Sequence, residues 1–101
     1  MKKLNSNQVL MARSTSSSIR VNFYEVIKAT TRTCEIRELR KEILNQTQLE
    51  QEVMPLPGEF SGPPIRKRVE STGCVKIEDG VYAWPWDGSS HWQTAIIFRN
   101  Y

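Results

Sequence analysis

The sequence predicts a mainly β fold, a small twisted antiparallel sheet of about five or six strands that is either open or closed as a barrel. Short segments in which apolar and polar residues alternate recur along the chain, with the two-residue period of half-buried strands. Glycine and proline, often beside aspartate or serine, separate these segments and are typical of turns. A chain of 101 residues is enough for one domain with a modest core.

The start of the chain is polar, and the ordered domain is predicted to begin after it. Serine and threonine crowd the stretch before Ile19, and such residues rarely build a core. We therefore expect residues 1–18 to form a flexible tail and residues 19–101 to form a single β-rich domain. Alternation from Ile19 onward, a turn near residues 29–32 and renewed alternation over residues 33–39 predict a first hairpin.

Residues 36–53 fit two structures equally well on their pattern alone. Ile36, Leu39 and Ile43 lie at helical spacing, in a run that is rich in good helix formers. No capping residue or glycine separates this run from the alternating segment before it, which favours a continuing strand. The alternative to the mainly β fold is therefore an α+β fold with a helix at about residues 36–53.

Prolines and glycines divide the second half of the chain. Residues 55–58 are predicted to end the element before them, and residues 59–64 to form an extended loop, because proline fixes the backbone and lacks an amide donor. Short strands are predicted beyond this loop, the last two of them joined as a hairpin, at residues 65–70, 74–77, 81–84 and 92–98.

The predicted final hairpin is strongly aromatic. All three tryptophans and the only histidine lie within residues 81–92, on either side of an Asp-Gly turn. Aromatic side chains on a rigid turn are typical anchors of protein interfaces. The candidate partner-binding residues are Trp84, Trp86, Asp87, His91 and Trp92.

A basic cluster supports a different function. On a strand, Arg66 and Arg68 would share one face and Lys67 the other. Tryptophans can stack on unpaired bases, each stack being worth ~1–3 kcal/mol, so a basic strand beside them predicts a single-stranded nucleic-acid-binding β domain. The candidate nucleic-acid-binding residues are Arg37, Arg66, Lys67 and Arg68. Both features also have ordinary structural explanations, because charges guard strand edges and tryptophans often fill small cores.

Charge and motifs narrow the function further. A formal net charge of +3 is weak for a protein that coats nucleic acid, so a protein partner is favoured over nucleic acid. The sequence has no glycine-rich phosphate loop, no metal-ligand pair and no recognised nucleophile motif. We therefore expect no enzymatic activity, no metal and no cofactor, and we expect Cys34 and Cys74 to be small buried side chains.

Two expectations concern location and assembly. No apolar run approaches the ~20 residues of a membrane span, and polar residues follow the start where a signal peptide needs an apolar stretch. We therefore expect a cytoplasmic protein with no membrane partner. The apolar segment at residues 92–98 would allow a homo-oligomer if it formed an edge strand.

Several short motifs resemble those of small proteins from phages and integrated mobile elements. The similarity spans about residues 22 to 95, and its motifs are Tyr24-Glu25-Val26, Ile36-Arg37-Glu38, Trp86-Asp87-Gly88 and Thr94-Ala95. The resemblance favours strands over residues 33–54. It implies a non-catalytic accessory protein that binds and modulates or inhibits a host protein, such as a nucleic-acid or defence enzyme, and it brings no activity, cofactor or catalytic residue with it.

Overall fold

The computed structural model describes residues 4–95 and confirms the mainly β prediction. These residues form eight strands and no helix, and therefore no helix that is long and apolar enough to cross a membrane. The strands are β1 (Val9–Ser14), β2 (Arg20–Ala29), β3 (Thr33–Gln46), β4 (Glu50–Phe60), β5 (Ile65–Arg68), β6 (Val75–Glu78), β7 (Val81–Pro85) and β8 (His91–Thr94).

All eight strands belong to one antiparallel sheet. The order is β6-β7-β1-β2-β3-β4-β8, and β5 pairs with β3 beside this path. The long strand β3 makes this branch, because one of its edges pairs with β5 near its start and with β4 farther along. The strand order is that of an open sheet, although a single bridge between Val69 and Val75 brings β5 alongside β6.

Each face of the sheet covers a separate core. Successive side chains of β2 point to opposite faces, so Tyr24 and Val26 enter one core while Val21 and Phe23 enter the other. We call the first face inner and the second outer. The inner core also holds buried residues of other strands, among them Leu10, Ala12, Ile36, Val75 and Ala83. The outer core adds Leu39 and Val53, so the second half of β3 and its neighbour β4 cover the outer face of β2.

The predicted tail differs from the structure at residues 9–14, which form β1 between β2 and β7. Leu10 and Ala12 are almost fully buried in the inner core. The apolar run is only four residues long and lies between polar segments, so its pattern is too short to announce a strand. This strand and the division of residues 41–60 raise the count above the predicted five or six.

Residues 36–53 are strands, so the alternative with a helix is wrong. The strands β3 and β4 form a long hairpin that turns at residues 47–49, where Thr47 and Glu50 close the turn by a backbone hydrogen bond of 2.8 Å. The apolar side chains at helical spacing do not share a buried side, because Leu39 is buried while Ile43 is half exposed. We call residues 42–52, with the turn at their centre, the hairpin arm.

The prediction that residues 55–58 end the preceding element is also wrong. The strand β4 continues to Phe60, with Lys41 opposite Pro55 and Leu39 opposite Phe60. The unequal spacing leaves residues 56–59 as a bulge, which is where a strand tolerates proline. Gly58 lies in this bulge at a φ of 79°, which glycine adopts without strain.

The predicted final hairpin does not form, although both of its strands do. The strand β7 pairs with β1 on one edge and β6 on the other, and β8 pairs with β4. Both edges of β7 are therefore occupied before the chain returns. Residues 86–90 instead connect β7 to β8 past the outer core, and residues 96–98 of the predicted returning strand lie outside the described residues.

Candidate binding surface

Trp86 is a structural residue of the outer core. Its ring packs edge-on against Phe23, with centroids 6.1 Å apart and planes at 77°. Its indole N–H donates to the backbone carbonyl of Ser89 at 2.8 Å, and its own backbone N–H donates to the carbonyl of Val9. These contacts hold the connection between β7 and β8 against the sheet, so Trp86 offers little ring surface to a partner.

Asp87 and His91 stabilise the same connection. The Asp87 carboxylate accepts hydrogen bonds from the backbone N–H and the hydroxyl of Ser89, and it lies 3.1 Å from the His91 ring nitrogen Nε2. These contacts, above all the Ser89 backbone bond, lower the pKa of Asp87 to about 2. The pair is therefore an ordered surface turn, and neither residue lines the clefts described below.

Trp84, in contrast, presents its ring to solvent. It lies on β7 opposite Met11 of β1, and Met11 lies opposite Phe23 of β2, so all three belong to the outer face. Phe23 is covered by the outer core, but Trp84 at the end of this row is 49% exposed. Tyr82 lies two residues earlier on the same strand and face, and it is also exposed.

Strand pairing brings cations next to these two rings. On one side, β1 and β7 pair through Ala12 and Ala83, so Arg13 and Tyr82 occupy the next positions along the pair. Arg13 is exposed and lies on the outer face, because it pairs with Val21 on its other side. An arginine therefore flanks Tyr82 on the β1 side.

A lysine and a second arginine flank Tyr82 on the opposite side. Lys76 of β6 pairs directly with Tyr82. The bridge between Val69 and Val75 makes Arg68 and Lys76 the next positions where β5 runs beside β6. Both cations are exposed. We call this surface the basic–aromatic face, and its members are Arg13, Arg68, Lys76, Tyr82 and Trp84.

Of the four predicted nucleic-acid-binding residues, two have structural partners. The Arg37 guanidinium lies 4.3 Å from the ring centroid of Phe60, and its Nε donates to the carbonyl of Gly62 at 2.8 Å. The Lys67 ammonium donates to the carbonyl of Ile77 across the gap between β5 and β6. Arg66 and Arg68 are exposed, as the predicted alternation requires.

Trp92 lies on a different surface from Trp84. It belongs to β8, opposite Glu52 of the hairpin arm, and it is 42% exposed. The Glu52 carboxylate accepts hydrogen bonds from Ser90 and from the side-chain amide of Asn45. The predicted set of three tryptophans therefore divides into a core residue and two exposed residues that β7 and β8 carry to separate parts of the sheet.

Sequence reasoning missed Arg13, Lys76 and Tyr82. Alternation on β7 already pointed to Tyr82, because it shares a face with Trp84. A turn containing Gly73 between two strands could also have suggested that Lys76 lies near Arg68. Nothing local indicated Arg13, since its strand was assigned to the tail.

A second feature is a buried polar cluster at the base of the hairpin arm. The Lys41 ammonium donates to the carbonyl of Val21 at 2.7 Å and to the Gln93 side-chain oxygen at 3.1 Å, and the amide of Gln93 donates to the Gln51 oxygen. These three polar side chains line a cleft of about 530 Å³ together with Glu38. Their contacts satisfy one another and join β2, β3, β4 and β8.

The described residues show no group of three or more side chains that could hold a metal ion. Cys34 and Cys74 are both buried and unbridged, and burial raises the pKa of the Cys34 thiol. Comparisons of the chain with models of protein families, with curated proteins and with solved structures give no match.

Proposed function

We propose that this chain is a non-catalytic binding protein that holds single-stranded nucleic acid on the basic–aromatic face. The observation that carries the proposal is the row of neighbouring positions across β5, β6 and β7. It sets Arg68 and Lys76 beside the exposed ring of Tyr82, with Trp84 two residues along the strand. Small β domains bind single strands with this combination of exposed aromatic rings and cations.

The chemistry of such a face divides between its rings and its charges. Each base stacked on an aromatic ring contributes ~1–3 kcal/mol, with little dependence on base identity. Each cation that neutralises a phosphate of a single strand adds a slope of about −0.7 to the dependence of log affinity on log salt. Arg13 and Arg68 have no ion-pair partner among residues 4–95, whereas Lys76 lies 3.0 Å from Asp79 and must exchange that partner for a phosphate.

A fluorescence titration tests the proposal, with the two exposed tryptophans as a matched pair. Mixed-sequence oligonucleotides at low salt should quench the parent and Trp92→Leu proteins. Trp84→Leu should lose most of the quenching and about 5- to 150-fold in affinity, which corresponds to the loss of one stacked base. Absence of quenching in the parent protein at low salt, or equal losses in the two variants, would contradict the proposal.

A protein partner is the second candidate, and the exposure of Trp92 beside the hairpin arm supports it. Exposed aromatic rings are common anchors of protein interfaces. With the similarity to small phage and mobile-element proteins, this surface supports an accessory protein that binds and modulates or inhibits a host protein in the host cytoplasm. Capture of a host protein that Trp92→Ser abolishes and Trp84→Ser preserves would support this candidate; the reverse pattern would oppose it.

A further inference from the structure

The hairpin arm is exposed along its length and carries an unusual number of apolar side chains. Leu49, at its turn, is 75% exposed, and Ile43 and Leu44 are also exposed on β3. Trp92 of β8 lies beside the arm through its pairing with Glu52. Together these residues form an apolar surface that the described residues leave open.

The same arm is acidic. Residues 42–52 contain Glu42, Glu50 and Glu52 but no lysine or arginine. The first two side chains are exposed and make no ion pair within residues 4–95. The basic–aromatic face shows the opposite character, with three cations around two exposed rings. The chain therefore carries two surfaces that complement each other in charge and that each expose apolar area.

Within one molecule these surfaces do not meet through an ion pair. Every ion pair of the described residues joins near neighbours in the sheet or along the chain, and none links an arm glutamate to a cation of the basic–aromatic face. In the strand order, β1, β2 and β3 lie between β7 and β4. A second copy of the chain can bring together what one copy keeps apart.

We propose that the acidic arm of one copy docks on the basic–aromatic face of a second copy. Because the two surfaces differ, the contact is head to tail, and each docked copy leaves one arm and one face free for further copies. The charges are exposed, so the association weakens as salt screens them. The inference does not depend on nucleic-acid binding, although an oligonucleotide that occupies the same face would compete with the arm.

Sedimentation of the full chain without nucleic acid tests this arrangement. The arm variant combines Leu49→Ser with Glu50→Lys, and the face variant combines Arg68→Glu with Trp84→Ser. At low salt the parent protein should exceed the monomer mass of 11.7 kDa increasingly with concentration. Each variant alone should remain at 11.7 kDa, with an association constant at least tenfold weaker than that of the parent.

The decisive sample is an equal mixture of the two variants. One still has a working face and the other a working arm, so they should form a single junction and stop at twice 11.7 kDa. Arg32→Glu, a charge reversal at an exposed residue outside both surfaces, should associate like the parent. Far-ultraviolet circular dichroism shows that the variants remain folded.

Three results would overturn the inference. One is a parent protein that stays monomeric at every concentration at low salt. Another is a mixture that stays monomeric although the parent associates, and the third is an arm variant that associates as strongly as the parent. Quenching by oligonucleotides would still stand in each case, so loss of this inference is distinguishable from loss of the proposed function.

Discussion

Replacing Lys41 with methionine should destabilise the fold by about 1–3 kcal/mol, because its ammonium is a structural hydrogen-bond donor. It bonds the carbonyl of Val21 at 2.7 Å and the Gln93 side-chain oxygen at 3.1 Å. Methionine keeps the length of the side chain and removes both donors. A buried carbonyl left without its donor costs ~1–3 kcal/mol. Burial already lowers the pKa of Lys41, so removing the charge also relieves some desolvation, which keeps the loss moderate.

Urea unfolding followed by tryptophan fluorescence measures this change. A slope of about 1–3 kcal/mol per molar urea, usual for small proteins, converts the expected loss into a midpoint about 1 M lower. Arg40→Met, at the exposed neighbouring position, is the control and should stay within about 0.5 kcal/mol of the parent. Equal midpoints for the two variants would refute the structural role of Lys41.

A double-mutant cycle with Gln93→Leu identifies the partner. Residues that share one hydrogen-bond network show coupling energies of about 0.5–3 kcal/mol. Gln93 accepts from both Lys41 and the backbone N–H of Val21, so the effects of the two substitutions should not add. Strict additivity would mean that the ammonium and the amide act independently.

Three further predictions follow from single side chains. The carboxyl of Asp87 should titrate by NMR with a pKa of about 2, so the stability it contributes is present above its ordinary 3.8 and disappears as pH falls toward 2; Asp87→Asn should remove that dependence, and an ordinary pKa would contradict the hydrogen bonds. Burial raises the pKa of Tyr24 from 10.0 to about 12, so stability should fall as pH rises between these values, and Tyr24→Phe should abolish the late step in phenolate absorbance; a parent with no such step would count against burial. Trp86→Ala should cost about 3–5 kcal/mol in urea unfolding because Trp86 packs on Phe23, whereas Trp84→Ala should stay within about 0.5 kcal/mol; similar losses would contradict the division between core and surface.

The strands were predictable wherever alternation is long enough to show a period. Residues 19–39 repeat apolar and polar residues over several positions, and they form β2 and most of the paired part of β3. The four apolar residues of β1 are too few to show it. Their burial comes from pairing with β7, more than sixty residues away in the chain, and no local pattern reports such a contact.

The candidate site was predictable in part. Alternation correctly placed Arg66 and Arg68 on an exposed face and Lys67 on the other. The Asp-Gly turn chemistry suggested a hairpin, but it is local and carries no information about the edges of β7, which are already paired. Trp86 shares the alternation of Trp84, yet it covers Phe23 because the chain leaves the strand after Pro85 and crosses the outer core.

The measurement that tests the central claim most directly is a two-dimensional NMR titration of the three indole N–H signals with a short mixed-sequence single-stranded oligonucleotide at low salt. All three indoles are seen in one sample, so Trp86 in the core and Trp92 on β8 serve as internal references. We predict that the Trp84 signal shifts or broadens progressively while that of Trp92 stays in place, and that added salt reverses the effect. A Trp84 signal that does not move, or a shift confined to Trp92, would contradict the assignment of nucleic-acid binding to the basic–aromatic face.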